Sequence, residues 1–109
     1  MTDSSFKLYK NFFKTISNDT RFEIIKFLIK GSKSVNNISK TLKFEQSRVS
    51  HNLKILECYK FINCECKGKE RIYSINKKSY IIEIIRNINK YVERYNKMLE
   101  ECSKNKKLK

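Results

Sequence analysis

One stretch in the middle of the chain constrains the fold more than any other part. Two short helices, within Ser34–Cys58, precede a hairpin, Phe61–Ile75. On the second helix, Val49, Leu53 and Leu56 recur at helical spacing and predict a packed face. The other face is polar and carries small hydroxyls, an imidazole and cations, which can approach base edges and phosphates. The pattern is typical of a DNA-reading helix, although solvated amphipathic helices share it.

The hairpin is predicted from two strand-like segments, Phe61–Lys67 and Glu70–Ile75, which meet at Gly68. Lysines on both sides of this glycine make the tip basic. Beside a reading helix, a basic tip predicts a wing that contacts the phosphate backbone. Alternation along the first strand places Ile62, Cys64 and Cys66 on one face.

Length and charge narrow the class of protein. The 109 residues support one domain with a modest core, so further stability is expected from burying surface against a second copy. The chain has 25 Lys and Arg against 11 Asp and Glu, a net charge of +14, which favours a polyanionic partner. The excess is spread along the chain, which suits phosphate contact but does not indicate sequence recognition.

The first half of the chain predicts two further helices, which precede the pair within Ser34–Cys58. The first runs from about Ser5 to Ile16 with aromatic residues at helical spacing, which need a partner surface. Asn18 is the expected N-cap of an apolar second helix that reaches about Lys30 and forms the core. Gly31 is expected to supply a left-handed cap after it, and Ser34 to cap the third helix, on which Val35, Ile38 and Leu42 face inward.

The last helix is predicted from about Lys77 to Ser103. Its apolar residues alternate by four and three positions, from Ile81 to Cys102, which is the pattern of paired helices. Residues 104–109 are expected to form a solvated basic tail that can be disordered and that adds phosphate affinity.

Nothing in the sequence directs the chain to a membrane or out of the cytoplasm. No segment approaches the roughly 20 apolar residues that span a bilayer, and the N-terminus has no basic region leading into an apolar run. Catalysis is not expected, because no carboxylate pair, no nucleophile with a base and no phosphate-binding glycine loop is visible. Nor is a cofactor expected.

These segments carry a family resemblance. Ile16–Ile25 resembles the entry to the second helix of winged helix-turn-helix repressors of the ArsR/SmtB type, Glu45–Leu56 their recognition helix, and Gly68–Ile75, with Tyr73, their second wing strand. The similarity extends from about residue 6 to about residue 100. It implies a mainly α fold with a small β-hairpin, in the order α-α-α-α-β-β-α, that dimerises through its first and last helices. Such a dimer binds an imperfect palindrome in double-stranded DNA.

Two departures from the family concern the reading helix and the sensor site. Where relatives usually have Ser-x-His-Leu, this chain has Ser50-His51-Asn52-Leu53, so the operator sequence does not carry over. The Cys-Val-Cys of soft-metal sensors has no counterpart on the third helix, and the last helix lacks histidine, so neither of the family's usual metal sites is expected. The remaining metal or redox candidates are thiols: Cys58, Cys64, Cys66 and Cys102.

The interpretation is thus a dimeric regulator of transcription within one domain, residues 1–109, most simply a repressor. Two alternatives stay open: a sequence-independent architectural protein, and a cysteine-based redox or metal-responsive repressor. The expected DNA contacts of the reading helix are Gln46, Ser47, Arg48, Ser50, His51 and Lys54, and those of the wing are Lys67, Lys69 and Arg71. The expected dimer contacts are Phe6, Tyr9, Phe13, Ile81, Ile85, Ile88, Val92, Tyr95 and Leu99.

Overall fold

The protein is described by a computed structural model that covers residues 3–106, with the side chains of residues 4–103. The chain divides into two compact units, Met1–Ser79 and Tyr80–Lys109. The elements of the first unit are α1 (Asp3–Ile16), α2 (Asp19–Ile29), β1 (Lys33–Ser34), α3 (Val35–Leu42), α4 (Gln46–Cys58), β2 (Ile62–Lys67), β3 (Glu70–Ile75) and a 3₁₀ turn (Lys77–Ser79). The second unit contains α5 (Ile81–Lys106).

Helices α2 and α3 begin where the sequence predicts. The Asn18 side chain accepts a hydrogen bond of 3.0 Å from the Arg21 backbone N–H, which satisfies one free donor in the first turn of α2. Ser34 Oγ accepts from the Asn37 backbone N–H at 3.1 Å and caps α3 in the same way. Both predicted N-caps are therefore confirmed.

The sheet has one strand more than the sequence predicts. The hairpin of β2 and β3 forms as expected, with Gly68 at φ +63° in its turn, but β1 also pairs with β3. The order is β1-β3-β2, and both pairs are antiparallel. Because β1 is only two residues long, it has no periodicity from which it could be predicted.

The core of the first unit lies between α2, α3, α4 and the sheet. The predicted packed face of α4 is confirmed, because Val49, Leu53 and Leu56 are fully buried. They share the core with Ile24 and Ile25 of α2. Burial of this apolar surface, which contributes about 25 cal/mol per Å², fixes α4 with its polar side toward solvent.

Two backbone expectations are wrong, and the face of β2 that Ile62, Cys64 and Cys66 share is not uniformly buried. Gly31 has φ +145°, outside the left-handed helical region, so it does not supply a left-handed cap. The last helix does not run on from Lys77, because Tyr80 has φ +59° and separates the 3₁₀ turn from α5. On β2, Cys64 is half-buried but Cys66 is exposed, since burial fades toward the hairpin tip.

The second unit is one long helix with an uneven distribution of burial. Ile81 and Ile85 at the start of α5 are buried, whereas Ile88, Val92 and Tyr95 are exposed. Among the residues that the structure describes, no helix is both long enough and apolar enough to cross a bilayer. The expected basic tail falls on residues 104–109: residues 104–106 continue α5, and residues 107–109 lie outside the described residues.

Candidate nucleic-acid interface

The outer face of α4 is polar and open to solvent. All six residues expected to touch DNA on this helix are exposed. None of them belongs to the face formed by the buried Val49, Leu53 and Leu56. A helix anchored by one apolar face and free on the other can enter a major groove, which is wide enough to admit an α-helix. The exposed set is Gln46, Ser47, Arg48, Ser50, His51 and Lys54.

Two of these side chains already have partners within the protein. Gln46 Nε2 donates to Asn36 Oδ1 at 2.7 Å and links the first turns of α3 and α4. Arg48 donates from Nη2 to Thr20 Oγ1 at 2.5 Å, and its guanidinium lies 4.5 Å from the ring centroid of Phe44. Arg48 is therefore held against α2 and the turn before α4.

Asn52 is the residue of α4 that sequence reasoning treated incompletely. It stands where relatives usually have histidine, and it points inward with only 6% of its surface exposed. Its Nδ2 donates to the Arg48 carbonyl at 2.9 Å, and its Oδ1 accepts from Arg21 Nη1 at 3.1 Å. The signal that could have found this role is the position itself, which directly precedes the buried Leu53 and lies outside the polar stripe.

The wing presents three cations at and beside its tip. Lys67, Lys69 and Arg71 are all exposed, and a side chain on Gly68 would meet nothing within 4 Å. Arg71 and Tyr73 follow one another on the same face of β3. The neighbouring Tyr73 phenol raises the pKa of Arg71, whose guanidinium is charged at physiological pH in any case. Burial raises the pKa of the Tyr73 phenol, which is therefore neutral at pH 7.

Two clefts bring the wing and α4 together. One, of about 340 Å³, lies between the first turn of α3, Gln46 and Ser50 of α4, and Lys69 and Arg71 of the wing. The other, of about 280 Å³, lies between His51 and Lys54 of α4 and Arg71 of β3. The two clefts share Ser50 and Arg71 and so form one trough, which six of the nine expected DNA contacts line; Ser47, Arg48 and Lys67 lie outside it.

The four cysteines are free thiols: Cys58 ends α4, Cys64 and Cys66 lie on β2, and Cys102 lies on α5. Cys58, Cys66 and Cys102 are exposed, and Cys64 is half-buried beside Tyr73, its partner across the sheet. In the described part of the chain, no three His, Cys, Asp or Glu side chains lie close enough together to hold a metal ion.

Apolar side chains expected at a dimer interface are exposed on α1 and on α5. On α1, Phe6, Tyr9 and Phe13 are 56%, 55% and 63% exposed. A shallow apolar depression of about 500 Å³ runs along this helix, past Leu8 and Phe12. On α5 the exposed part of the expected stripe is Ile88, Val92 and Tyr95, with Leu99 half-buried; Ile81 and Ile85, also expected there, are buried.

Comparison with known proteins agrees with this geometry. Residues 18–59, which hold α2, α3 and α4, match the family model of bacterial regulatory proteins of the arsR family. No functionally curated protein matches the sequence significantly. The matched segment contains Arg21, Asn52 and all six expected contacts of α4.

Solved structures share the fold at low sequence identity. Rv0081 of M. tuberculosis is 23% identical over 87% of this chain and 98% of its own, with a TM-score of 0.75. HlyU from Vibrio cholerae is 23% identical over 81% and 97%, with a TM-score of 0.68. Mb0332 from Mycobacterium bovis, a homodimeric winged helix-turn-helix DNA-binding domain and possible ArsR-family transcriptional regulator, is 18% identical over 86% and 93%, with a TM-score of 0.71.

At these identities the structural likeness establishes the fold alone, and the family match covers residues 18–59. The family is one of regulatory proteins and not of enzymes. A mainly helical chain with a three-stranded sheet thus matches, over residues 18–59, the family model of bacterial regulatory proteins of the arsR family.

Proposed function

We propose that this protein is a homodimeric, sequence-specific DNA-binding regulator of transcription that represses by binding an imperfect palindrome. Within each half-site, Ser50 and His51 would read base edges in the major groove and Lys54 would contact the backbone. The wing cations Lys69 and Arg71 would bind adjacent phosphates. Two copies of α4 would then lie about 34–36 Å apart, one turn of duplex.

The observation that carries the proposal is the shared trough between α4 and the wing. Base-reading groups and phosphate-binding cations line the same surface, on two elements that are fixed by one core. Phosphate contacts position a protein on the duplex, and base contacts give it sequence preference. A surface that offers both kinds of group side by side is suited to recognition, and the net charge of +14 supports the association rate.

Dimerisation is proposed from the exposed apolar side chains of α1 and α5. Monomeric proteins rarely expose contiguous apolar patches of more than a few hundred Å². Phe6, Tyr9 and Phe13 on α1 are three large residues at helical spacing, and all three are more than half exposed. A second copy is the proposed occupant, because two identical patches related by a two-fold axis cover each other. The homodimeric state of Mb0332, which has the same fold, supports this choice.

The test begins with selection of bound duplexes from a random-sequence library by the purified chain. We expect a two-fold symmetric consensus with half-sites about ten base pairs apart. The affinity for the selected duplex should exceed that for a scrambled duplex of equal length by about 10³-fold or more at about 0.15 M salt. Equal affinities would reject the proposal in favour of an architectural protein that coats DNA without regard to sequence.

The direction of regulation needs a separate measurement. With the selected site placed across a promoter, added protein should lower the transcript yield of purified RNA polymerase in proportion to site occupancy. The same template with a scrambled site is the control, and it should be unaffected at that concentration. An increase in transcript would replace repression by activation and leave the DNA-binding part of the proposal intact.

A further inference from the structure

The three buried polar residues of the core belong to one hydrogen-bond network. Thr15, Thr20 and Asn52 are 5%, 3% and 6% exposed. The side chains of Thr20 and Asn52 and the backbone carbonyl of Thr15 each accept a hydrogen bond from an arginine. Arg21 Nε donates to the Thr15 carbonyl at 2.8 Å, and Arg21 Nη1 donates to Asn52 Oδ1 at 3.1 Å. One guanidinium therefore joins the end of α1 to the middle of α4.

The network continues from Asn52 along α4. Asn52 Nδ2 donates to the Arg48 carbonyl, and the Arg48 side chain returns to Thr20 on α2. The helix is thus tied at two points, one turn apart, to the first turn of α2. Both hydrogen bonds are made at the edge of α4 between its buried apolar face and its solvent-exposed face.

Apolar packing and these directional bonds restrain α4 in different ways. Val49, Leu53 and Leu56 hold the helix in the core, but apolar contacts have no preferred direction and allow small rotations about the helix axis. A planar guanidinium with donors on two edges does have a preferred direction, and so does a buried amide that uses both its donor and its acceptor. Such bonds can fix the rotation that decides where Ser50 and His51 point.

We propose that Arg21 and Asn52 are positioning residues for sequence recognition: they set the rotation of α4 and do not themselves touch DNA. The inference rests on the proposed function, since it concerns base reading by the same helix. Arg48 acts with them, since its guanidinium is held by Thr20 and Phe44, so we assign it to positioning as well.

The experiment compares affinities of matched variants for the selected and the scrambled duplex. Arg21→Lys keeps the charge but has a single nitrogen, which cannot reach both the Thr15 carbonyl and Asn52 Oδ1. We expect the ratio of selected to scrambled affinity to fall about tenfold, the size of one hydrogen bond to a charged group. The salt dependence of binding should stay as in the unmodified chain, because no phosphate contact is lost.

Asn52→Asp is the second variant, and Arg86→Lys on α5 is the control. The aspartate keeps an acceptor for Arg21 but loses the donor to the Arg48 carbonyl, so the ratio should fall here too. Arg86 is exposed and lies outside the network, so the same chemical change there should leave the ratio unaltered. Thermal unfolding of each variant, and titration of its active fraction, keep the comparison to folded protein.

The possible outcomes separate this inference from the proposed function. If folded Arg21→Lys and Asn52→Asp both keep a ratio within about twofold of the unmodified chain, the positioning role is overturned while the regulator remains. A parallel loss on both duplexes would overturn it as well, since it would indicate a phosphate contact or a general loss of structure. A ratio of one for the unmodified chain would overturn both proposals together.

Discussion

Helices α1 and α4 are both amphipathic, but they turn opposite kinds of surface to solvent. On α4 the apolar face is fully buried and the polar face is open. On α1 the aromatic residues Phe6, Tyr9 and Phe13 are more than half exposed, whereas the polar Thr15 is buried. Helical periodicity identifies two faces in each case, but it does not decide which face packs within the chain. The chemistry of the face left outside indicates the partner: a polyanion for α4 and an apolar protein surface for α1.

The largest expected effect comes from making the outer face of α1 resemble that of a solvated helix. Phe13→Glu places a charge in the proposed interface between two copies, so the chain should become monomeric at micromolar concentration. Affinity for the selected two-half-site duplex should fall by about 10²- to 10⁴-fold, because the two half-sites no longer act together. Sedimentation equilibrium gives the mass, and a binding titration gives the affinity.

Lys14→Ala is the matched control for that change. It alters the net charge by the same single unit on the neighbouring exposed residue of α1, but it leaves the aromatic residues in place. A dimer of unchanged stability is expected. If the unmodified chain is already monomeric, or if Phe13→Glu remains dimeric, the exposed aromatic face of α1 does not bind a second copy.

A substitution on each face of α4 tests the second half of the comparison. Leu53→Ala removes a fully buried side chain and should lower the free energy of unfolding by about 2–5 kcal/mol. Lys54→Ala, the next residue, is exposed and should change that free energy by less than about 0.5 kcal/mol. Urea unfolding measures both. Similar values for the two variants would mean that the faces are not divided as described.

The smallest effect is expected at the wing, where one cation of several is removed. Lys69→Ala should reduce the slope of log affinity against log salt by about 0.9, the value for one phosphate contact. Selected and scrambled duplexes should lose affinity alike, since a phosphate contact carries no sequence preference. Lys30→Ala at the end of α2, outside the proposed interface, should leave the slope unchanged. A loss confined to the selected duplex would reassign Lys69 to base reading.

Sequence patterns were sufficient wherever a local rule decides the structure. The N-caps at Asn18 and Ser34 and the hairpin at Gly68 all depend on neighbours within a few residues, and all three are confirmed. The apolar face of α4 was also predicted from three residues at helical spacing, and its burial is confirmed. The family match of residues 18–59 rests on the same local signals.

Features that depend on distant contacts were not predictable in this way. β1 exists because β3 offers a free edge to Lys33 and Ser34, and Asn52 turns inward because Arg21, 31 positions earlier, supplies a donor. The break before α5 depends on Tyr80 adopting φ +59°, a conformation that no local rule favours for tyrosine. For the candidate site, the sequence indicated which residues are exposed but not which of them are held by partners.

Ser34 ends β1 and caps α3, so one residue belongs to the wing sheet and to the start of the helix-turn-helix at once. The paired backbone of β1 and β3 therefore connects the wing directly to the helix-turn-helix, the two parts that would contact a duplex. If the wing bends as it follows the sugar-phosphate backbone, the displacement is transmitted directly to the first turn of α3. Local flexibility of the duplex beside a half-site would then affect the position of α4 through α3, because no loop separates β1 from α3 to absorb the motion.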